Sequence, residues 1–186
     1  YVAAENAKIT VNGVATENNT SYKFNLTENT TISLDTVRER YTVEATAETT
    51  TEGVAGGKVV ITADGTEVES GNHVDGGSKV VFKAIADRGY VFDHWAIGSD
   101  TSNTADAYVI DEIGAATTVK AVFRENTKNT LTGVVSPENR GKLVYTLYDI
   151  YGNVLAENQE YTGALEMYKG ESVDISAAPA AGSMVE

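Results

Sequence analysis

Asp93-His94-Trp95 is the cluster with the most chemical potential, an imidazole that can act as a base beside a carboxylate that can orient it. Adjacent residues of a regular strand point to opposite faces, so Asp93 and His94 are not expected to bond as a catalytic pair. The cluster reads as a core anchor, with Phe92 and Trp95 inside and His94 on the margin. His73 has no second histidine near it in sequence, and there are no cysteines. No thiolate site, recognised ligand spacing or nucleophile motif is present, so no catalytic residue, no metal site and no cofactor is expected. Asp100, Asp106, Asp111 and Glu112 offer the oxygen ligands calcium favours, but not at the D-x-D-x-D-G spacing; they read as solvated charge. Five of the ten tyrosines, Tyr145, Tyr148, Tyr151, Tyr161 and Tyr168, fall in the last segment. Tyrosines exposed on a sheet stack on sugar rings or dock proteins at small entropic cost, which makes Tyr148, Tyr151 and Tyr161 the candidate ligand-binding residues. Cross-strand packing that only stabilises the sheet is the alternative.

The composition narrows the partners. Fourteen basic residues stand against 27 acidic ones, a net charge of -13, so nucleic acid and anionic membrane are not expected to bind. Apolar runs are too short to insert in a bilayer. The chain of 186 residues opens at Tyr1 without an initiator Met or a signal-type segment and reads as a mature product or an excised piece. Asn-x-Thr/Ser sites at Asn18, Asn19, Asn25 and Asn29 read as composition, because Asn and Thr are abundant.

The elements that must position these residues are strands. Period-two alternation recurs in runs bounded by Gly, Asn, Asp and Thr: Tyr22, Phe24 and Leu26; Tyr41, Val43 and Ala45; Val59, Ile61 and Ala63; Val80, Phe82 and Ala84; Leu143, Tyr145 and Leu147. Tyr145 then faces the core and Tyr148 takes the opposite parity. A short helix around Asn103 to Ile113 is the best helical candidate, weakened by its β-branched residues. Asn12-Gly13, Asp64-Gly65 and Gly152-Asn153 sit where hairpin turns belong. The expected fold class is mainly β, tandem small antiparallel modules.

The alternation also repeats over a longer period. Gly77 to Gly89 aligns without a gap on Gly170 to Gly182, 93 residues later, and Gly57-Lys58-Val59-Val60-Ile61 aligns on Gly141-Lys142-Leu143-Val144-Tyr145, 84 residues later. Tyr22 to Leu34 aligns on Tyr108 to Ala121, and Tyr1-Val2 on Tyr90-Val91. Residues 41–126 therefore form a complete repeat, residues 1–40 the closing half of an earlier one, and 127–186 the opening part of a further one or a second small β domain.

Gly89-Tyr90-Val91-Phe92-Asp93-His94-Trp95, followed by Thr117-Thr118-Val119-Lys120-Ala121-Val122-Phe123, resembles the divergent internalin-B-type B-repeats of bacterial surface proteins, and Leu143 to Val154 resembles a Cna-B-type or Ig-like strand pair. The first resemblance implies β-grasp-like modules without enzyme activity, strung along extracellular, secreted or cell-wall-anchored proteins of largely Gram-positive bacteria. Tyr90, Phe92, Trp95 and Phe123 are then structural core. The expected function is a stalk or spacer with possible adhesion to a host or cell-wall glycan or protein; the alternative is a carbohydrate-binding module of a larger glycan-active protein. Such modules sometimes carry isopeptide staples, for which Lys58 and Asn126 have a permissible order. The half-repeats favour a self-contained monomer, with a head-to-tail chain of copies as the alternative.

Overall fold

The computed structural model describes residues 8–16, 22–35, 38–136 and 140–184. Among them every regular element is a strand. Tyr1-Val2, Asn18 and Asn19 lie outside the described residues.

The first strands, β1 (Lys8–Val11), β2 (Val14–Ala15) and β3 (Ile32–Asp35), form a sheet in the order β2-β1-β3. Asn12 and Gly13 both adopt positive φ, 52° and 80°, as a two-residue hairpin turn requires. Ile9 lies opposite Leu34 and Val11 opposite Ile32, so the apolar residues share one face. That face is open, with Ile32 and Leu34 each 58% exposed. Tyr22 to Leu26, expected as a strand, is not one. Alternation describes a surface that would suit a sheet, but strand structure needs a neighbouring edge, and this segment is exposed with Tyr22 stacked on Phe24 at 5.9 Å.

Nine strands follow: β4 (Arg40–Thr49), β5 (Gly57–Ala63), β6 (Thr66–Val68), β7 (His73–Asp75), β8 (Val80–Ala86), β9 (Tyr90–Ile97), β10 (Asp100–Asn103), β11 (Ala107–Ile110) and β12 (Thr117–Glu125). They form two sheets, ordered β10-β9-β12-β4-β7 and β11-β8-β5-β6. The short helix expected around Asn103 to Ile113 is replaced by the end of β10 and by β11, which pairs with β8 from Ala107↔Lys83 to Ile110↔Val80. Val109 and Ile110 prefer that extended ladder to a helix, as β-branched side chains do.

The last strands are β13 (Lys128–Thr132), β14 (Gly141–Tyr148), β15 (Val154–Glu160), β16 (Ala164–Tyr168) and β17 (Ser172–Pro179). β13 pairs with β16, and the others form a sheet ordered β15-β14-β17. This repeats the pairing of β4 to β8: β13 with β16 corresponds to β4 with β7, and β15-β14-β17 to β6-β5-β8. One close approach recurs as well. A Cβ on Gly57 would meet the carbonyl oxygen of Ile85 at 2.5 Å, and a Cβ on Gly141 would meet that of Ala178 at 2.9 Å. The sequence repeat is therefore a structural repeat, and β2-β1-β3 has the order of β10-β9-β12.

The chain divides into two compact units. One comprises Tyr1–Ala45, Val60–Lys83 and Ala107–Val119; in it Val43, Ile61, Val80, Phe82, Ile113 and Val119 are buried, and the Phe82 and Tyr108 rings lie 6.1 Å apart. The other comprises Thr46–Val59, Ala84–Asp106 and Lys120–Glu186. Its core centres on Trp95 and Phe123, both fully buried, with Phe92 5.2 Å from the first ring and 5.9 Å from the second. The indole Nε1–H of Trp95 donates to the Ala105 carbonyl at 2.9 Å, so the buried ring keeps no unsatisfied donor.

Candidate functional site

The turn between β8 and β9 is the place where the repeat meets the segment after it. Asp87-Arg88-Gly89 reverses the chain through a Tyr90 N–H to Asp87 carbonyl bond of 3.0 Å, with Gly89 at φ 93°. A side chain at Gly89 would be strained by that φ and would also press on the Tyr168 ring, 3.1 Å from the position of its Cβ. Arg88, at the apex, reaches Glu171: Nε donates to Oε1 at 2.7 Å and Nη2 to Oε2 at 3.2 Å, a bidentate fork. Its guanidinium carbon lies 5.4 Å from the centre of the Tyr168 ring, within cation–π range. The Glu171 side chain is only 2% exposed, and its Oε2 accepts the Tyr168 N–H at 2.9 Å.

Burial by itself would raise the Glu171 carboxyl; the Arg88 hydrogen bonds, the Tyr168 N–H and the Arg88 charge outweigh it and hold the group below the usual carboxylate range. Four further bonds close the same joint. The Tyr151 hydroxyl accepts the Ala86 N–H at 2.8 Å. Asn126 donates its N–H to Gly89 O and its side-chain amide to Lys169 O, and the Lys169 N–H donates to Thr127 O. Around them lies a cleft of 280 Å³, lined among others by Tyr90, Tyr151 and Tyr168.

The candidate tyrosines are not brought to one platform by their hydrogen bonds. Tyr151 is 51% exposed but spends its hydroxyl on Ala86. The Tyr161 hydroxyl accepts the Gly133 N–H at 2.8 Å and donates to Leu131 O at 3.0 Å. Tyr148 donates to Asp174 at 3.1 Å, and that bond raises its phenol above the ordinary tyrosine value. All three hydroxyls hold strands and loops of the last segment together or to the repeat.

Asp93 and His94 do bond, contrary to the expectation from strand alternation: His94 Nδ1 lies 2.8 Å from Asp93 Oδ2. The reason is a β-bulge. On β12, Phe123 pairs with Phe92 and Val122 with His94, so Asp93 is an extra residue and the alternation breaks there. Asp93 also accepts from Arg124 Nε at 3.1 Å; the His94 bond first, and Arg124 after it, hold its carboxyl below the usual range. Asp100 accepts the Ser102 N–H at 2.9 Å, and Asp111 pairs with Lys79 at 3.0 Å.

Arg88 and Glu171 carried no sequence motif. The signal that existed was a substitution within the repeat, Glu171, whose side chain is almost fully covered, standing where the complete copy has buried Ser78. A carboxylate at a buried repeat position calls for a cation, and the turn supplies one.

The family model of the divergent InlB B-repeat domain matches residues 41–127. No curated protein and no solved structure matches the chain significantly. The match spans β4 to β12 and stops where β13 begins, so residues 41–127 are similar to the divergent InlB B-repeat domain, a repeat type associated with bacterial surface proteins.

Proposed function

We propose that the chain is a non-catalytic stretch of stalk in a secreted or cell-wall-linked bacterial surface protein, in which consecutive repeats hold a distal module away from the cell. The observation that carries this reading is the Arg88–Glu171 joint. A spacer must resist bending where one repeat follows another, and a bidentate ion pair on a buried carboxylate, ringed by four further hydrogen bonds, serves that need. The extracellular location rests on the repeat family. The net charge of -13 suits a stalk that must not adhere to itself or to anionic envelopes.

A carbohydrate-binding module would present its aromatic rings to solvent. Trp95 is fully buried, and the hydroxyls of Tyr148, Tyr151 and Tyr161 are engaged within the protein. We read those tyrosines as joints; any adhesive contact would use the half-exposed ring of Tyr151.

Backbone ¹⁵N relaxation tests the stalk. Residues 84–106 and 140–184 should share one tumbling time, and Arg88→Ala should separate them. Two independent tumbling times in the unaltered chain would overturn the reading. Antibody labelling of intact source cells tests the location, and labelling that requires lysis would exclude a surface stalk.

A further inference from the structure

We infer that the cleft at the Arg88–Glu171 joint binds a quaternary ammonium group, a fully methylated amine of the choline type. The inference goes beyond the stalk reading and does not depend on it. The cleft lies between the β8–β9 turn and the tip of the β14–β15 hairpin, within one compact unit. Both walls are formed by paired strands and their turns. Its 280 Å³ is just under the range of about 300–1,000 Å³ typical of ligand pockets, which suits a single head group and not an extended glycan.

Three tyrosine rings line the cleft, Tyr90, Tyr151 and Tyr168, and each residue is fixed by its own hydrogen bonds. The Tyr151 hydroxyl accepts the Ala86 N–H, and the Tyr151 N–H donates to Asp149 Oδ1, both at 2.8 Å. The Tyr90 N–H donates to Asp87 O, and Tyr90 pairs with Glu125 across the β9–β12 ladder. The Tyr168 N–H donates to Glu171. An aromatic face attracts a cation placed within about 6 Å of its centre. The joint already uses that attraction, since the Arg88 guanidinium carbon lies 5.4 Å from the centre of the Tyr168 ring. Rings held in advance lose little freedom when a ligand arrives.

The charge of the walls points the same way. Asp87, Asp149 and Glu171 line the cleft against Arg88. Arg88 is paired with Glu171, and among the described residues neither Asp87 nor Asp149 forms an ion pair. Two carboxylate charges are therefore left over, in a molecule whose net charge of -13 gathers cations. The polar atoms, in contrast, are engaged within the protein. Asp149 accepts the N–H groups of Tyr151 and Asn153 and the Asn153 side-chain amide. Glu171 takes Arg88 and the Tyr168 N–H, and the Asn126 amide donates to Lys169 O. A sugar or a primary ammonium asks such groups for directed hydrogen bonds. A quaternary ammonium has no N–H to satisfy and needs only ring faces, negative field and apolar contact for its methyls, which Ile150 and Leu155 supply.

Titration of choline chloride into the unaltered chain, read by ¹H–¹⁵N chemical shifts, tests the assignment. Saturable shifts should be confined to residues 85–90, 149–155 and 168–171, with a Kd on the order of 1 mM. Dimethylbutanol, the neutral carbon isostere of choline, and ethanolamine, its primary-amine counterpart, should each bind about tenfold more weakly. Tyr151→Leu and Asp87→Asn should each weaken choline binding by about three- to tenfold, with Trp95 fluorescence unchanged as the check on folding. No saturable shift at about 50 mM choline overturns the inference. Equal binding of dimethylbutanol would make the cleft a plain apolar pocket, and equal binding of ethanolamine a plain anionic one; either result overturns it. Binding unaffected by both substitutions overturns it too, by placing the ligand elsewhere, and N-acetylglucosamine shifting these residues where choline does not would give the cleft to a sugar.

Discussion

The complete repeat and the segment after it share a strand plan and differ in what that plan encloses. Val80 and Phe82 on β8 are fully buried, and Ile61 on β5 is 2% exposed; on β17 the equivalent Ile175 is 45% exposed, and of the hydrophobic side chains on β14 to β17 only Leu147 is buried. β9 and β12 supply Phe92, Trp95 and Phe123, with the Phe92 ring in contact with each of the other two. Where those rings are missing the same pairing persists, held by backbone ladders, tyrosine hydroxyls and the Arg88–Glu171 joint. Backbone pairing sets the topology, and aromatic burial decides how much of it is core.

The hardest test of this contrast is Trp95→Ala. Loss of a fully buried Trp should destabilise the repeat by about 3–5 kcal/mol in urea or thermal unfolding. A variant that melted like the parent but lost glycan binding would make Trp95 a ligand platform instead. The two equivalent glycines give the next largest effect. Gly57→Ala must push a Cβ against both the Ile85 carbonyl and the Phe123 ring and should cost about 1–3 kcal/mol. Gly141→Ala meets backbone alone, beside an open groove, and should cost less than half as much; equal costs would mean that the last segment is as tightly filled as the repeat.

Arg88→Ala leaves the Glu171 carboxylate buried with one N–H partner and should cost about 1–2 kcal/mol, less than a fully buried pair because Arg88 is 45% exposed. Arg88→Lys should not restore the loss, since a single ammonium cannot reproduce the fork. The joint also predicts an acid limit. Glu171 is held below its ordinary value in the folded state, so its contribution is complete above the unfolded value, about 4.3, and is lost as pH falls through the lowered folded value. Stability that is flat from pH 5 to pH 2 in the parent, relative to Glu171→Gln, would contradict this sign. The smallest effect belongs to Ile175→Ala. At low micromolar concentration, where Ile175 is partly in water, the cost should be under about 1 kcal/mol, against about 3–5 for Phe82→Ala.

Much of this plan was legible in the chain. Strand content, the turns at Asn12-Gly13 and Asp64-Gly65, and the alignment of Gly77 to Gly89 on Gly170 to Gly182 all follow from local chemistry, because period two, positive φ and repeat register are properties of short windows. The family resemblance at Gly89 to Trp95 rested on the same windows, and the match to residues 41–127 agrees with it. Local chemistry misled about two elements of secondary structure. Tyr22 to Leu26 has the alternation of a strand without an edge to pair with, and Asn103 to Ile113 was given to a helix although β8 draws its second half into a ladder. Both errors concern a partner strand, and a partner strand is a long-range fact.

The sequence by itself determined that this chain is β-rich, that its unit repeats, and that Phe92, Trp95 and Phe123 are the residues around which a unit closes, since large apolar side chains at alternating positions have no cheaper place than an interior. Only the tertiary structure decided that Asp93 and His94 meet, because one bulged residue opposite Val122 and Phe123 reverses the parity of the strand. Only it decided that Arg88 and Glu171, 83 residues apart, form the joint. Neither charge carries a local signature of its partner, and what brings them together is the return of a second copy of the same strand plan against the turn of the first.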